Sequence, residues 1–162
     1  MFLRRNLTAF VLLPVLLFCS CARAGNEPVS PAGKGADFSL KALNGSEVRL
    51  SDKLGPGKKA VLVFFATWCP PCQREVPYVN DLNTRKGADI AVLGVNIQES
   101  PAKVSSFAES KKINYTVLLD ADGEVANSYG VRSIPTIIAL DGDMNILYEG
   151  HDIVDMEKKI KI

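Results

Sequence analysis

The residues best placed to do chemistry are Cys69 and Cys72, separated by two prolines in Trp68-Cys69-Pro70-Pro71-Cys72. A dithiol at this spacing can cycle between two thiols and a disulfide. One thiolate attacks a substrate disulfide and the other resolves the mixed disulfide. The surrounding sequence supports that use. Residues 60–65, Ala-Val-Leu-Val-Phe-Phe, form an apolar run that reads as a buried strand. After it, Cys72, Val76, Val79 and Leu82 recur at helical spacing with polar residues between them. Cys69 therefore falls at or just before the first turn of a helix, where unpaired N–H groups and the helix dipole favour a thiolate. Pro70 and Pro71 suit early helical positions, whose N–H groups have no partner in any case. These features predict an acidic, exposed, nucleophilic Cys69 with Cys72 as its resolving partner. The competing readings are a metal half-site and an inert structural disulfide. A zinc site normally needs four ligands, and the sole histidine, His151, is far along the chain.

The elements that must position the pair follow from pattern. Residues 37–40 alternate like a strand, and Asn44-Gly45 is a turn signal before a partner at 48–50. Gly55-Pro56-Gly57 breaks the chain ahead of the central strand. The active-site helix is expected to end near Arg85, with Gly87 as its stop. A buried strand at 90–97 follows, then a helix at 101–112 capped by Ser100. A strand at 115–119, a short helix at 124–129 and a hairpin of strands 136–140 and 145–148 come next. A helix from about Asp152 closes the chain, with Ile153, Met156 and Ile160 inward. Strand, helix, strand in succession implies parallel crossovers and an α/β fold.

The first 24 residues differ from the rest. Arg4 and Arg5 precede an apolar stretch from Leu7 to Phe18, with small residues after it, which describes an export signal. Two processing routes are open. Ala22-Arg23-Ala24 offers a cleavage site that frees a soluble protein from Gly25; alternatively Phe18-Cys19-Ser20-Cys21 resembles a bacterial lipoprotein signal with Cys21 lipidated. The expected organisation is a signal at 1–24, a flexible linker at 25–35 and a single domain at 36–162. The whole chain carries 19 basic and 18 acidic residues; losing Arg4, Arg5 and Arg23 leaves 16 against 18, a net charge of −2. That balance argues against nucleic acid as a partner.

Residues 61–77, and Ala66-Thr67-Trp68-Cys69-Pro70-Pro71-Cys72-Gln73-Arg74-Glu75-Val76-Pro77 above all, resemble the active-site segment of TlpA/ResA-type thioredoxin-fold proteins, which are exported thiol–disulfide oxidoreductases. The resemblance runs from about residue 35 to 150. It implies a thioredoxin fold with an N-terminal β-hairpin and a central helix–strand insertion at about 100–120. Val131-Arg132-Ser133-Ile134-Pro135-Thr136 resembles the family's cis-proline loop, so Ile134 is expected to offer its backbone to an extended client in the manner of strand addition. An ordinary loop proline is the plainer reading. Glu75 matches a glutamate that tunes the cysteines in the family. Three residues after Cys72 on one helix, it can return to their side and accept the proton Cys72 must lose. The plainer reading is a solvated helix side chain. General thioredoxins place a buried Asp six residues before the first cysteine, where this chain has Val63, leaving Glu75 as the only acid expected nearby. Trp68 would shield the nucleophile and offer a flat contact surface, or simply pack. Pro77 matches a helix-bending proline, and His151 reads as a surface residue.

The expected activity is protein-disulfide reduction through the Cys69/Cys72 dithiol, with no cofactor and no metal. Electrons would come from a membrane thiol-reducing donor and pass to a disulfide-bearing exported client. The resemblance suggests apocytochrome c as that client. The expected location is the bacterial periplasm or outer membrane face, soluble or anchored through Cys21. A disulfide-forming oxidase on the same fold is the main alternative. A peroxidase would need Pro and Thr where Leu62 and Ala66 stand, so antioxidant chemistry is not expected.

Overall fold

A computed structural model describes residues 33–162; the proposed signal, Cys21 and most of the proposed linker lie outside them. Seven strands form one mixed sheet in the order β2-β1-β5-β4-β3-β6-β7. In chain order these are β1 (Ser39–Ala42), β2 (Glu47–Arg49), β3 (Lys59–Phe65), β4 (Ile90–Ile97), β5 (Thr116–Asp120), β6 (Thr136–Leu140) and β7 (Ile146–Gly150). Among the described residues, four α-helices, α1 (Pro70–Lys86), α2 (Pro101–Ser110), α3 (Glu124–Ser128) and α4 (Ile153–Ile160), and a short 3-10 turn at Ser51–Lys53 complete the fold.

The central strand β3 is apolar at nearly every position because both its faces are covered. Val61, Val63 and Phe65 face Val79 and Leu82 of α1, Val104 of α2, and Ile153 and Met156 of α4. Leu62 and Phe64 point the other way, toward Leu50, Val125, Tyr129, Ile138 and Leu140. β3 and β4 run parallel, with Phe65 level with Asn96, and β4 and β5 are parallel as well, as the crossovers require. The carboxyl ends of β3 and β4 therefore stand side by side in the middle of the sheet. The segments that leave them, around Thr67 and Glu99, emerge together.

The expected helix–strand insertion is α2 and β5. The inserted strand also joins the N-terminal hairpin to the sheet, since β1 pairs antiparallel with β5. Two local expectations are corrected. The hairpin strands lie closer to their turn than alternation suggested. Asp37 is not a ladder residue: its carboxylate accepts the N–H groups of Phe38 and Ser51, both at 3.0 Å. Leu50 lies beyond β2, and its N–H reaches back to the Phe38 carbonyl at 3.0 Å. The last strand is also displaced, to Ile146–Gly150, because Asp141 Oδ1 accepts the N–H groups of Asp143 and Asn145 and holds them in the turn.

Candidate active site

Cys69 is the N-cap of α1 and takes extended backbone angles, with Pro70 and Pro71 as the first helical residues. Its Sγ accepts the N–H of Cys72 at 3.2 Å, one of the donors a helix start leaves unpaired. The two cysteines are joined as a disulfide. Across the site the Ile134–Pro135 peptide is cis, and the Ile134 carbonyl oxygen lies 3.6 Å from Cys69 Sγ. Cys69 is only 3% exposed and Cys72 4%, which corrects the expectation of an exposed nucleophile. In this oxidised state both cysteines belong to an apolar core cluster against which Ile134 packs. Trp68, by contrast, is 65% exposed, which excludes a core packing role and leaves a broad apolar face at the rim.

Glu75 lies on the half-buried side of α1 toward α4. Its Oε2 accepts the N–H of Ile153, the first residue of α4, at 3.1 Å. Burial raises the Glu75 carboxyl above the ordinary glutamate value, the Ile153 N–H opposes this, Asp152 adds to it and Arg74 opposes it. Pro77 sits inside α1 and supplies no N–H to the carbonyl four residues before it.

Glu75 is not the only acid near the pair. Glu99, just past the end of β4, accepts the Thr67 N–H at 2.6 Å and the Thr67 hydroxyl at 2.7 Å. Asn96 Nδ2 donates to the same carboxylate at 2.8 Å, and Lys103 Nζ stands 2.6 Å from it. Gln73 Nε2 donates to the Thr67 carbonyl at 2.9 Å, so the residue two before Cys69 is held through its N–H, its hydroxyl and its carbonyl. Sequence spacing did not reveal this, because Glu99 is thirty-two residues from Thr67. The usable signal was the pairing of two adjacent buried strands, whose ends must lie together.

Burial opposes ionisation of Glu99, but hydrogen bonds from Lys103, Asn96 and Thr67 outweigh it and hold the carboxyl at about 2, below its ordinary 4.5. A carboxylate lowered by folding stabilises the protein above its unfolded value, and that stability is lost as pH falls through the folded value. The melting temperatures of wild type and Glu99→Gln should therefore converge by about 3–6 °C between about pH 5 and about pH 2. Thermal melts across that range measure it.

His151 is exposed, as expected, yet it touches the site. The ladder between β6 and β7 ends at Ile137 opposite Gly150, beyond which β7 turns away toward α4. The Pro135 carbonyl is met instead by His151 Nδ1 at 2.6 Å. A carbonyl only accepts, so Nδ1 carries the proton in this contact. Among the described residues no group of His, Cys, Asp and Glu is arranged to hold a metal.

A dithiol at a helix start, facing a cis-proline loop on this sheet order, defines the class of thioredoxin-fold dithiol proteins. Residues 28–160 match the Redoxin family. Over 155 residues the chain is 30% identical to the thiol-disulfide oxidoreductase ResA of Bacillus subtilis, covering 90% of this chain and 86% of that one. A crystal structure from Chlorobium tepidum, described as a thiol:disulfide interchange protein DsbE, superposes with a TM-score of 0.72 at 29% identity, covering 80% of this chain and 94% of the other. The exposed lipoprotein thioredoxin of Streptococcus pneumoniae superposes with a TM-score of 0.68 at 28% identity, covering 78% and 100%. The chain belongs to the TlpA/ResA-like thioredoxin-fold family of thiol–disulfide oxidoreductases.

Proposed function

We propose that this oxidoreductase works as a reductase of exported proteins, with Cys69 as the attacking thiolate and Cys72 as the resolving thiol. The observation that carries the assignment is the position of Cys69 Sγ. It receives the Cys72 N–H at the start of α1 and faces the Ile134 carbonyl across 3.6 Å. After reduction, the same N–H and the helix dipole would favour negative charge on Cys69 over Cys72. Client disulfide bonds would break by in-line attack of Cys69. Cys72 would then lose its proton and displace the client thiolate, restoring the Cys69–Cys72 disulfide.

Glu75 is the group we assign to hold the Cys72 proton, because its raised carboxyl can take one up nearer neutral pH than an ordinary glutamate. Trp68, Ile134 and Pro135 would receive the client: Trp68 through its exposed face, Ile134 through its backbone, and Pro135 by keeping the loop in place. A membrane thiol-reducing protein would recharge the pair, and apocytochrome c is the client suggested by the resemblance to ResA. Export through residues 1–24 belongs to the same proposal. The likeness to a lipoprotein thioredoxin supports lipidation at Cys21 as its membrane-bound form.

The deciding experiment is the reduction potential of the Cys69–Cys72 pair in defined thiol buffers. A value near about −250 mV or lower, close to thioredoxin at about −270 mV, supports a reductase. A value near about −120 mV, that of a strong periplasmic oxidant, would reverse the direction to disulfide formation.

A further inference from the structure

At the entry to the inserted segment, one side chain bonds the loop that leads into the active site: Glu99 to Thr67. The chain leaves β4 at Ile97, and Gln98 then takes a φ of 54°, a left-handed conformation rare for residues with a side chain. Two hydrogen bonds to the far side of the insertion hold it there. Gln98 N–H donates to the Asp120 carbonyl and Gln98 Nε2 to the Asp122 carbonyl, both at 2.9 Å. An outlier kept in place by its neighbours invites a functional explanation. Here it precedes Glu99, whose side chain lies inward and is 5% exposed. Asn96, itself 1% exposed, gives its amide to that carboxylate, while its Oδ1 has no partner among the described residues. A buried amide left half satisfied is costly, and its donor end is turned to Glu99.

We propose that Glu99 is a positioning residue for disulfide exchange: the turn from β4 into the insertion supplies a buried carboxylate that clamps Thr67 and so fixes where Trp68 and Cys69 stand before α1. The inference rests on Cys69 as the nucleophile. Attack on a disulfide needs the thiolate in line with the sulfur–sulfur bond, so the entry to α1 must be fixed before the client arrives. Thr67 has no neighbour in a ladder to fix it, since β3 ends at Phe65. Glu99 and Gln73 hold its polar groups in place of a strand. The Lys103 ammonium on the outer side balances the charge, so the role assigned is placement rather than a field on the sulfur.

The test is insulin-disulfide reduction by the purified chain, with iodoacetamide alkylation of the reduced protein followed against pH. Glu99→Gln is expected to lower kcat/KM for insulin by about tenfold or more, with the pH midpoint of Cys69 alkylation unchanged. Glu109→Gln makes the same charge change on the exposed side of α2 and is expected to have no effect. Thr67→Val removes only the hydroxyl donor. It is expected to cost about threefold, and decides the matter if Glu99→Gln does not fold. Unchanged kcat/KM in folded Glu99→Gln, or in Thr67→Val where the former does not fold, overturns the inference. So does a fall in rate fully explained by a shifted alkylation midpoint, which would make Glu99 a charge effect. A wild-type protein that leaves insulin intact would overturn the nucleophile assignment itself, and this inference with it.

Discussion

Cys69→Ser is expected to abolish disulfide exchange, by about a thousandfold or more, while Cys72→Ser keeps one half-reaction and accumulates a mixed disulfide. The asymmetry follows from geometry. Cys69 Sγ sits at the N-cap of α1 and receives the Cys72 N–H, whereas Cys72 lies within the first turn. A thiolate at position 69 is stabilised by donors that a hydroxyl can also engage, so Cys69→Ser should fold and still fail as a nucleophile. Cys72→Ser retains the nucleophile and lacks only the thiol that displaces the client. Incubated with a disulfide-bearing protein, it should form one covalent adduct per chain that thiol reductants release. Mass spectrometry of the adduct would place the linkage on Cys69. Trapping by Cys69→Ser and inertness of Cys72→Ser would reverse the two roles. Applied to an extract of exported proteins, the Cys72→Ser trap also identifies the client, which neither spacing nor geometry names.

Most of what positions the cysteines was legible in the chain. The break from an apolar run to helical spacing at Cys69 is local, and local signals fix a helix start. The cis Ile134–Pro135 step across the site matched the loop that the family resemblance implied. What escaped was contact between segments distant in sequence. Glu99 and Thr67 meet only because β3 and β4 pair in parallel with level ends. His151 reaches the Pro135 carbonyl only because β7 departs just where β6 still needs a partner. Burial of Cys69 was missed for a related reason: a helix start is usually wet, and Ile134, whose carbonyl lies beside the sulfur, arrives from sixty-five residues away. The hairpin offset has a different cause. Alternation located the apolar residues correctly, but Asp37 took the N–H of Ser51 and stopped the ladder short.

Glu75→Gln is expected to change activity and stability in opposite directions. Its folded carboxyl is raised by burial, with the Ile153 N–H opposing. A raised carboxyl means the folded state binds the proton more tightly than the unfolded chain. Stability from this group is therefore present at low pH and is lost as pH rises from the ordinary glutamate value through the folded one. Glutamine carries no charge to desolvate, and its side-chain oxygen can still accept the Ile153 N–H. The variant should show a flatter melting profile above about pH 4.5 and a higher melting temperature than wild type at neutral pH. On the proton-accepting role proposed for Glu75, activity should move the other way, because an amide cannot take the Cys72 proton. Client release should slow by about a hundredfold, and the pH–rate profile should lose its acidic inflection. Thermal melts and single-turnover kinetics across pH 4–8 read both effects on the same protein. A variant that gains stability without losing rate would assign the carboxylate to the α1–α4 junction alone. A variant that loses both would mean that the charged Ile153 contact outweighs its desolvation. Gain in one with loss in the other is the signature of a group kept in an unfavourable place for the sake of its proton.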